Sequence, residues 1–162
     1  MTSTLSKGGV ITSPLAAADT QVVGVVLQEA LTDLIDLSLT AKQAHWNVTG
    51  PHFRSLHLQL DELVDSAREF SDAVAERAAA LSVSPDGRAA AVAAAAQPFP
   101  AGYLADRDVV GLIVARLEST VHGLRRGIAA TETPDPVTQD LLIGITAKIE
   151  EHRWMFQAQL SA

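Results

Sequence analysis

The chain has 162 residues, of which 48% are apolar and 19% are charged, and it contains no cysteine. These values are typical of a single globular domain. The lack of cysteine excludes disulfide scaffolds, thiolate metal sites and cysteine nucleophiles, and an aromatic content of only 4% favours an all-α fold. Twelve basic residues against 19 acidic ones give a net charge of −7, so the molecule as a whole repels polyanions such as nucleic acids.

The N-terminal segment lacks the periodicity of a helix or a strand. Residues 1–16 are rich in Ser, Thr and Gly, which predicts a flexible tail followed by a domain over residues 17–162. No apolar run of signal-peptide length precedes Pro14, and the longest run of small apolar residues is far shorter than the about 20 residues that span a bilayer. We therefore expect a cytoplasmic protein that makes no contact with a membrane.

Four long segments with the three-and-four apolar spacing of a helix follow this tail. They predict helices over residues 21–45, 53–81, 106–130 and 137–160. The first has an expected N-cap at Asp19 or Thr20, and Gly50-Pro51 separates it from the second. An alanine-rich stretch over residues 88–96 predicts a short extra helix in the long connection between the second and third helices. The expected fold is a four-helix bundle.

The side chains best suited to bind a metal lie on the first two helices. His45 closes the first helix and His57 lies in the second turn of the second helix. The face of the second helix that carries His57 continues with charged residues, namely Asp61, Asp65, Arg68, Asp72 and Glu76. Imidazole and carboxylate ligands without thiolates suit iron or zinc. Taken singly, however, a histidine on an apolar arc is more often a hydrogen-bonded core residue, and a line of acids is more often a solvated surface.

The length of the second helix restricts how these residues can share an ion. His57 and Asp72 are fifteen residues apart, which corresponds to roughly 22 Å along a helix, whereas ligand bonds are about 2.0–2.2 Å long. The chain also contains no Glu-x-x-His pair of the kind that binds di-iron inside a bundle. If His45, His57, Asp72 and Glu76 are all ligands, two copies of the second helix must therefore pack antiparallel, creating two equal sites by two-fold symmetry.

The same residues resemble the signature of the Dps mini-ferritins, the DNA-protection-during-starvation proteins. The matching segments are His45-Trp46-Asn47-Val48-Thr49-Gly50-Pro51, Leu56-His57 and Asp72-Ala73-Val74-Ala75-Glu76-Arg77. This resemblance, which runs from the first to the last predicted helix, implies a ferritin-like bundle that assembles as a hollow homododecamer. It also implies ferroxidase centres at two-fold interfaces, in which the metal ligands and catalytic residues are His45 and His57 of one subunit and Asp72 and Glu76 of its mate.

By this resemblance, two Fe(II) ions are oxidised, preferably by hydrogen peroxide, and the Fe(III) mineral collects in the cavity, which protects DNA and the cell from oxidative damage. Glu76 is the expected bridging carboxylate. Asp61 is expected to orient a histidine or to hold a water molecule, although an exposed helix acid is an equal alternative. Trp46 is a candidate electron donor or radical trap, and simple packing is the alternative.

Iron must also pass through the closed shell that the resemblance implies. Asp135 and Asp140, at the start of the fourth helix, match the positions that line three-fold pores in the family, although acids there also complement the helix dipole. The position that carries a third pore aspartate in related proteins is Gly144 here, which supplies no carboxylate at the innermost constriction.

DNA binding is the weakest expectation that the resemblance supports. Members that bind DNA use lysine-rich tails, and Lys7 is the only basic residue among residues 1–16. We therefore expect weak, salt-sensitive DNA binding at most, and a location in the cytoplasm that can include the nucleoid. Two alternatives stay open, namely a DNA-compacting structural oligomer without significant ferroxidase activity and a bundle that binds zinc at the same residues.

Overall fold

The computed structural model describes residues 11–160. Its helices are α1 (Ala17–Asn47), α2 (Phe53–Ala80), α3 (Ala89–Ala95), α4 (Asp106–Thr131) and α5 (Pro136–Gln157), with a short 3-10 turn over Ala158–Leu160. Two-residue strands β1 (Val48–Thr49) and β2 (Leu104–Ala105) pair in parallel. Within residues 11–160, no helix is both long enough and apolar enough to span a bilayer. The predicted all-α bundle, with a short helix in its longest connection, is confirmed.

The core consists of the apolar stripes that the sequence predicts. α1 packs against both α2 and α4, and α4 packs against α5. Among the fully buried side chains are Leu34 of α1, Leu60 of α2, Ile113 of α4 and Phe156 of α5. Because α1 has two neighbours, it buries a wide arc, whereas α2 buries one stripe and leaves its opposite face exposed. That exposed face carries the predicted acidic residues.

The start of α1 differs from the prediction. The helix begins at Ala17 rather than at Gln21, and its cap residue Ala16 makes no side-chain hydrogen bond. The N–H of Thr20 bonds to the carbonyl of Ala16 at 2.9 Å, which closes a helical turn before the predicted cap. The hydroxyl of Thr20 instead lies 2.9 Å from the hydroxyl of Ser13. Residues 1–10 of the predicted tail, including Lys7, lie outside the described residues.

A buried carboxylate fixes the start of α5 against α2. Asp135, which is only 2% exposed, accepts hydrogen bonds from the guanidinium of Arg77 at 2.6 Å, from the hydroxyl of Thr138 and from the N–H of Val137 at 3.3 Å. Burial raises the pKa of Asp135, but the bonds from Thr138 and Arg77 outweigh this effect and hold the pKa below its ordinary value. Asp135 is therefore directed into the subunit, whereas Asp140, the other predicted pore residue, is exposed.

We expect Asp135→Ala to lower the apparent free energy of unfolding by about 3 kcal/mol, because Arg77 loses its partner and α5 loses its cap. The control Asp140→Ala removes an exposed acid and should change the apparent free energy of unfolding by less than about 0.5 kcal/mol. Urea denaturation followed by circular dichroism measures both values. The contribution of Asp135 is present at neutral pH and is lost as the pH falls through its depressed pKa, so Asp135→Ala and the parent protein should converge in acid. Equal stabilities at neutral pH would contradict this assignment.

Candidate metal centre

Two histidines join the end of α1 to the second turn of α2. Nδ1 of His45 lies 2.8 Å from the carbonyl oxygen of His57, and Nδ1 of His57 lies 3.0 Å from the carbonyl oxygen of His45. The two rings are stacked, with their centroids 3.6 Å apart and their planes 21° apart. Because a carbonyl oxygen can only accept, each Nδ1 carries a hydrogen, and Nε2 is the nitrogen of each ring that is not used in this pairing.

This pairing has the chemistry of a metal-binding pair of histidines. A histidine that binds a metal through one nitrogen almost always donates the other N–H to a carbonyl or a carboxylate, which fixes the tautomer and the ring orientation. His45 and His57 both satisfy this condition through backbone carbonyls. The two Nε2 atoms are thus the ring nitrogens that could bind a metal.

The short connection between α1 and α2 determines this arrangement. Gly50 adopts a φ of +129°, and a Cβ atom there would lie 2.7 Å from the carboxyl carbon of Asp106. That carboxylate accepts the backbone N–H of His52 at 2.9 Å, immediately before α2 begins. Only glycine accommodates both the backbone conformation and the close approach. The sequence Gly50-Pro51 is therefore part of what brings His45 to His57.

Asp61 and Lys42 lie beside the histidines and form an ion pair. Oδ1 of Asp61 is 3.3 Å from Nδ1 of His45 and 2.5 Å from Nζ of Lys42. The hydrogen bond from Lys42 lowers the pKa of Asp61 below its ordinary value. Asp61 is thus in contact with a candidate ligand rather than being an isolated surface acid. Sequence reasoning missed Lys42, although its position three residues before His45 on the same helix was the available signal.

The other two candidate ligands lie far from the histidines in the same subunit. Asp72 and Glu76 are exposed on α2, which continues without interruption from Phe53 to Ala80. The distance of roughly 22 Å between His57 and Asp72 therefore applies to the folded chain. Across residues 11–160, no three His, Asp or Glu side chains converge in a way that could hold a metal ion. One subunit contains two separate halves of the predicted centre.

Trp46 lies at the rim of the histidine half. It follows His45 directly, and 65% of its surface is exposed in the single subunit. Packing inside its own subunit therefore does not account for this side chain.

Comparisons with known proteins identify the family and the fold. A family model described as a ferritin-like domain matches residues 26–162. The DNA protection during starvation protein of Mycolicibacterium smegmatis is 36% identical over 144 residues, which cover 86% of this chain and 78% of that protein. A solved structure of Mycobacterium smegmatis Dps, in a tetragonal form, matches with a TM-score of 0.90 at 29% identity, covering 96% of this chain and 95% of that one. The chain belongs to the Dps family of ferritin-like proteins.

The family assignment made from the sequence is thereby confirmed, although not every relative carries the Dps name. The fine tangled pili major subunit of Haemophilus ducreyi is 33% identical over 163 residues, which cover 99% of this chain and 86% of that protein. The Dps family thus has a relative that is named for a filament rather than for DNA protection.

The tautomers of the histidine pair can be tested directly. In the solid-state ¹⁵N spectrum of histidine-labelled Dps at pH about 8, where imidazole is normally neutral, His45 and His57 should both show a protonated Nδ1 and an unprotonated Nε2. His45→Gln and His57→Gln assign the two signals, and the exposed His122 serves as the comparison ring. A protonated Nε2 on either ring of the pair would contradict the structure.

Proposed function

We propose that this Dps protein is a ferroxidase that oxidises Fe(II), preferably with hydrogen peroxide, and stores Fe(III) mineral inside a hollow homododecamer. The observation that carries the proposal is the histidine pair, in which both Nδ1 atoms are bound to carbonyls and both Nε2 atoms are left for a metal. The family membership supports it, because ferritin-like folds use helix-borne carboxylates and histidines for iron. Iron is here the substrate as well as the metal that the site holds.

The complete centre forms between two subunits. His45 and His57 of one subunit face Asp72 and Glu76 of its mate when two α2 helices pack antiparallel by their exposed faces. The contribution of each subunit is then chemically different, since one supplies imidazole nitrogens and the other supplies the negatively charged carboxylates of Asp72 and Glu76. Twelve such subunits enclose the cavity in the proposed assembly.

The proposed reaction divides two electrons between two ions. Each Fe(II) gives up one electron, the O–O bond of hydrogen peroxide breaks, and two hydroxide ions result, so that no hydroxyl radical is released. Glu76 is the proposed bridging carboxylate, and Asp61 orients His45 through its contact with Nδ1. When only one ferrous ion has given an electron to the peroxide, Trp46 is the proposed donor of the second electron.

We propose that iron reaches the cavity through a three-fold pore at the start of α5. Asp140 is exposed and is the proposed pore carboxylate, with Asp135 fixing the helix start beside it through its bond to Arg77. Position 144 is a glycine and supplies no carboxylate. A ring of like charges at Asp140 raises the local concentration of cations.

Protection of DNA would follow from the removal of Fe(II) and peroxide in the cytoplasm and around the nucleoid. The names of the starvation-protein relatives support this role. A net charge of −7 opposes the phosphate contacts on which tight DNA binding depends.

In gel-shift titrations, DNA association should therefore be weak and should disappear as salt approaches about 0.15 M. Lys7→Gln should weaken whatever binding is seen at low salt, because it removes the only basic residue of the tail. Submicromolar binding that persists at physiological salt would overturn this prediction.

Two alternative functions can be distinguished from the proposed function by experiment. A structural or DNA-compacting oligomer needs no histidine pair, and the name of the Haemophilus relative describes a structural protein. A zinc-binding bundle would use the same ligands but would turn over no iron. Zinc should inhibit iron oxidation under the proposed function, whereas it would simply bind under the last alternative.

We expect His57→Ala and Asp72→Ala each to slow peroxide-dependent oxidation of Fe(II) at least about tenfold, because each removes one proposed ligand from every centre. The growth of ferric absorbance under otherwise anaerobic conditions measures the rate. Asp65→Ala is the matched control, since Asp65 is an exposed acid of α2 outside the ligand set. Unchanged rates in both ligand variants would favour a structural oligomer.

Co-assembly of the same two variants tests whether the centre is shared. When a His57→Ala subunit pairs with an Asp72→Ala subunit, the interface between them is a hybrid. One of its two sites then carries both substitutions, and the other carries neither. Random mixing should then restore about a quarter of the parent activity, because half of the interfaces are hybrid and half of their sites are complete. A centre contained within one chain would give no restoration. The two variants are dissociated, mixed and reassembled, and each variant treated alone is the control.

A further inference from the structure

The contact between α2 and α5 depends on a few polar bridges. α5 packs closely on α4 but makes far fewer contacts with α2. Within residues 11–160, side-chain hydrogen bonds join α2 to the C-terminal part of the chain at three places, namely Arg77 to Thr138 at 3.0 Å, Ser66 to His152 at 2.9 Å and Gln59 to Gln159 at 2.8 Å. The middle bridge contains an imidazole, whose charge can change near neutral pH.

His152 is buried in the middle of this contact with one ring nitrogen unbonded. The residue is only 3% exposed, and its Nε2 lies 2.9 Å from the hydroxyl oxygen of Ser66. Among the described residues, Nδ1 of His152 and Nε of Arg153 are the two buried side-chain atoms without a hydrogen-bond partner. A neutral ring can place its single hydrogen on Nε2, toward the serine, and then buries no unbonded N–H. A protonated ring must bury a second N–H at Nδ1, where no acceptor lies.

We propose that His152 is an acid-sensitive switch in the contact between α2 and α5, and that its protonation releases α5 from α2 before the chain unfolds as a whole. The charged imidazolium can satisfy its Nδ1–H only by reaching water, which requires the two helices to separate locally. The inference goes beyond the proposed iron chemistry and does not depend on it, because it concerns the folded chain itself.

The charged groups around the ring come from both helices. They are Glu62 of α2 with Lys148 and Glu151 of α5. Burial is the main cause that lowers the pKa of His152, and Lys148 acts in the same direction, whereas the two glutamates oppose them. Arg153, the next residue, is engaged with Glu118 of α4 at 3.3 Å. The separated state therefore takes up a proton more readily than the closed state. The contact is most stable above a pH of about 6.5, the ordinary imidazole pKa, and weakens as the pH falls below it.

Hydrogen exchange of the iron-free, full-length protein, detected by mass spectrometry at a pH of about 7.5 and about 5.5, tests this switch. In the parent, the open fraction of the α5 amides around His152, corrected for the intrinsic exchange rate, should rise severalfold at the lower pH. The limit for one proton is about tenfold per pH unit. His152→Gln and His152→Phe should each abolish most of this rise, because neither side chain can take up a proton.

Two further variants make the comparison specific. His152→Phe keeps an aromatic ring in the buried position and carries the test if glutamine is not tolerated there. His122→Gln changes an exposed histidine of α4 and should keep the rise seen in the parent.

The charge of His152 can also be read directly. At a pH of about 6, where an ordinary imidazole is mostly protonated, the solid-state ¹⁵N spectrum should still show His152 with one unprotonated nitrogen. His152→Gln assigns the signal. A doubly protonated His152 in the folded protein at this pH would overturn the inference.

The outcomes of the exchange experiment are equally decisive. An open fraction of α5 that is the same at both pH values in the parent would show that the switch does not exist. An equal rise in the parent and in both His152 variants would assign the pH dependence to another group and would also overturn the inference. Neither result bears on the proposed ferroxidase centre, which the oxidation rates of His57→Ala and Asp72→Ala test separately.

Discussion

The histidines and the acidic residues of the candidate centre are separated by the rigid length of α2. This helix is continuous over 28 residues, with His57 near its start and Asp72 and Glu76 in its last three turns. A straight helix cannot fold back on itself, so the two halves can meet only across a symmetry axis. The geometry of one helix thus makes the proposed chemistry a property of a pair of subunits.

The histidine half is precise because it depends on backbone atoms. Each ring donates a hydrogen bond to the backbone carbonyl of the other histidine. These two bonds fix the end of α1 relative to the start of α2. Gly50 and Asp106 shape the connection that makes this possible. A change in that turn would therefore move both candidate ligands together, so the geometry of the candidate centre is coupled to the packing of β1 and α4 beside it.

The sequence predicts the helices, their buried stripes and the separation of His57 from Asp72, because all three follow from the fixed period and rise of a helix. It does not predict the start of α1, because the bond between Ser13 and Thr20 connects a residue outside the helix to one inside it. It also misses the Arg77–Asp135 pair and the contact of Lys42 with Asp61, since each joins elements whose relative positions emerge only on folding.

Dividing the ligands between subunits also controls where iron is oxidised under the proposed function. A lone chain presents the two imidazoles at one end of α2 and the exposed carboxylates of Asp72 and Glu76 at the other, and within residues 11–160 no three such side chains converge to hold an ion. In the proposed assembly, only the interface between subunits combines the histidines with the carboxylates, and it would adjoin the cavity that takes up the product. Under the proposed function, assembly therefore comes before catalysis, and the ferric product forms only where it can be stored.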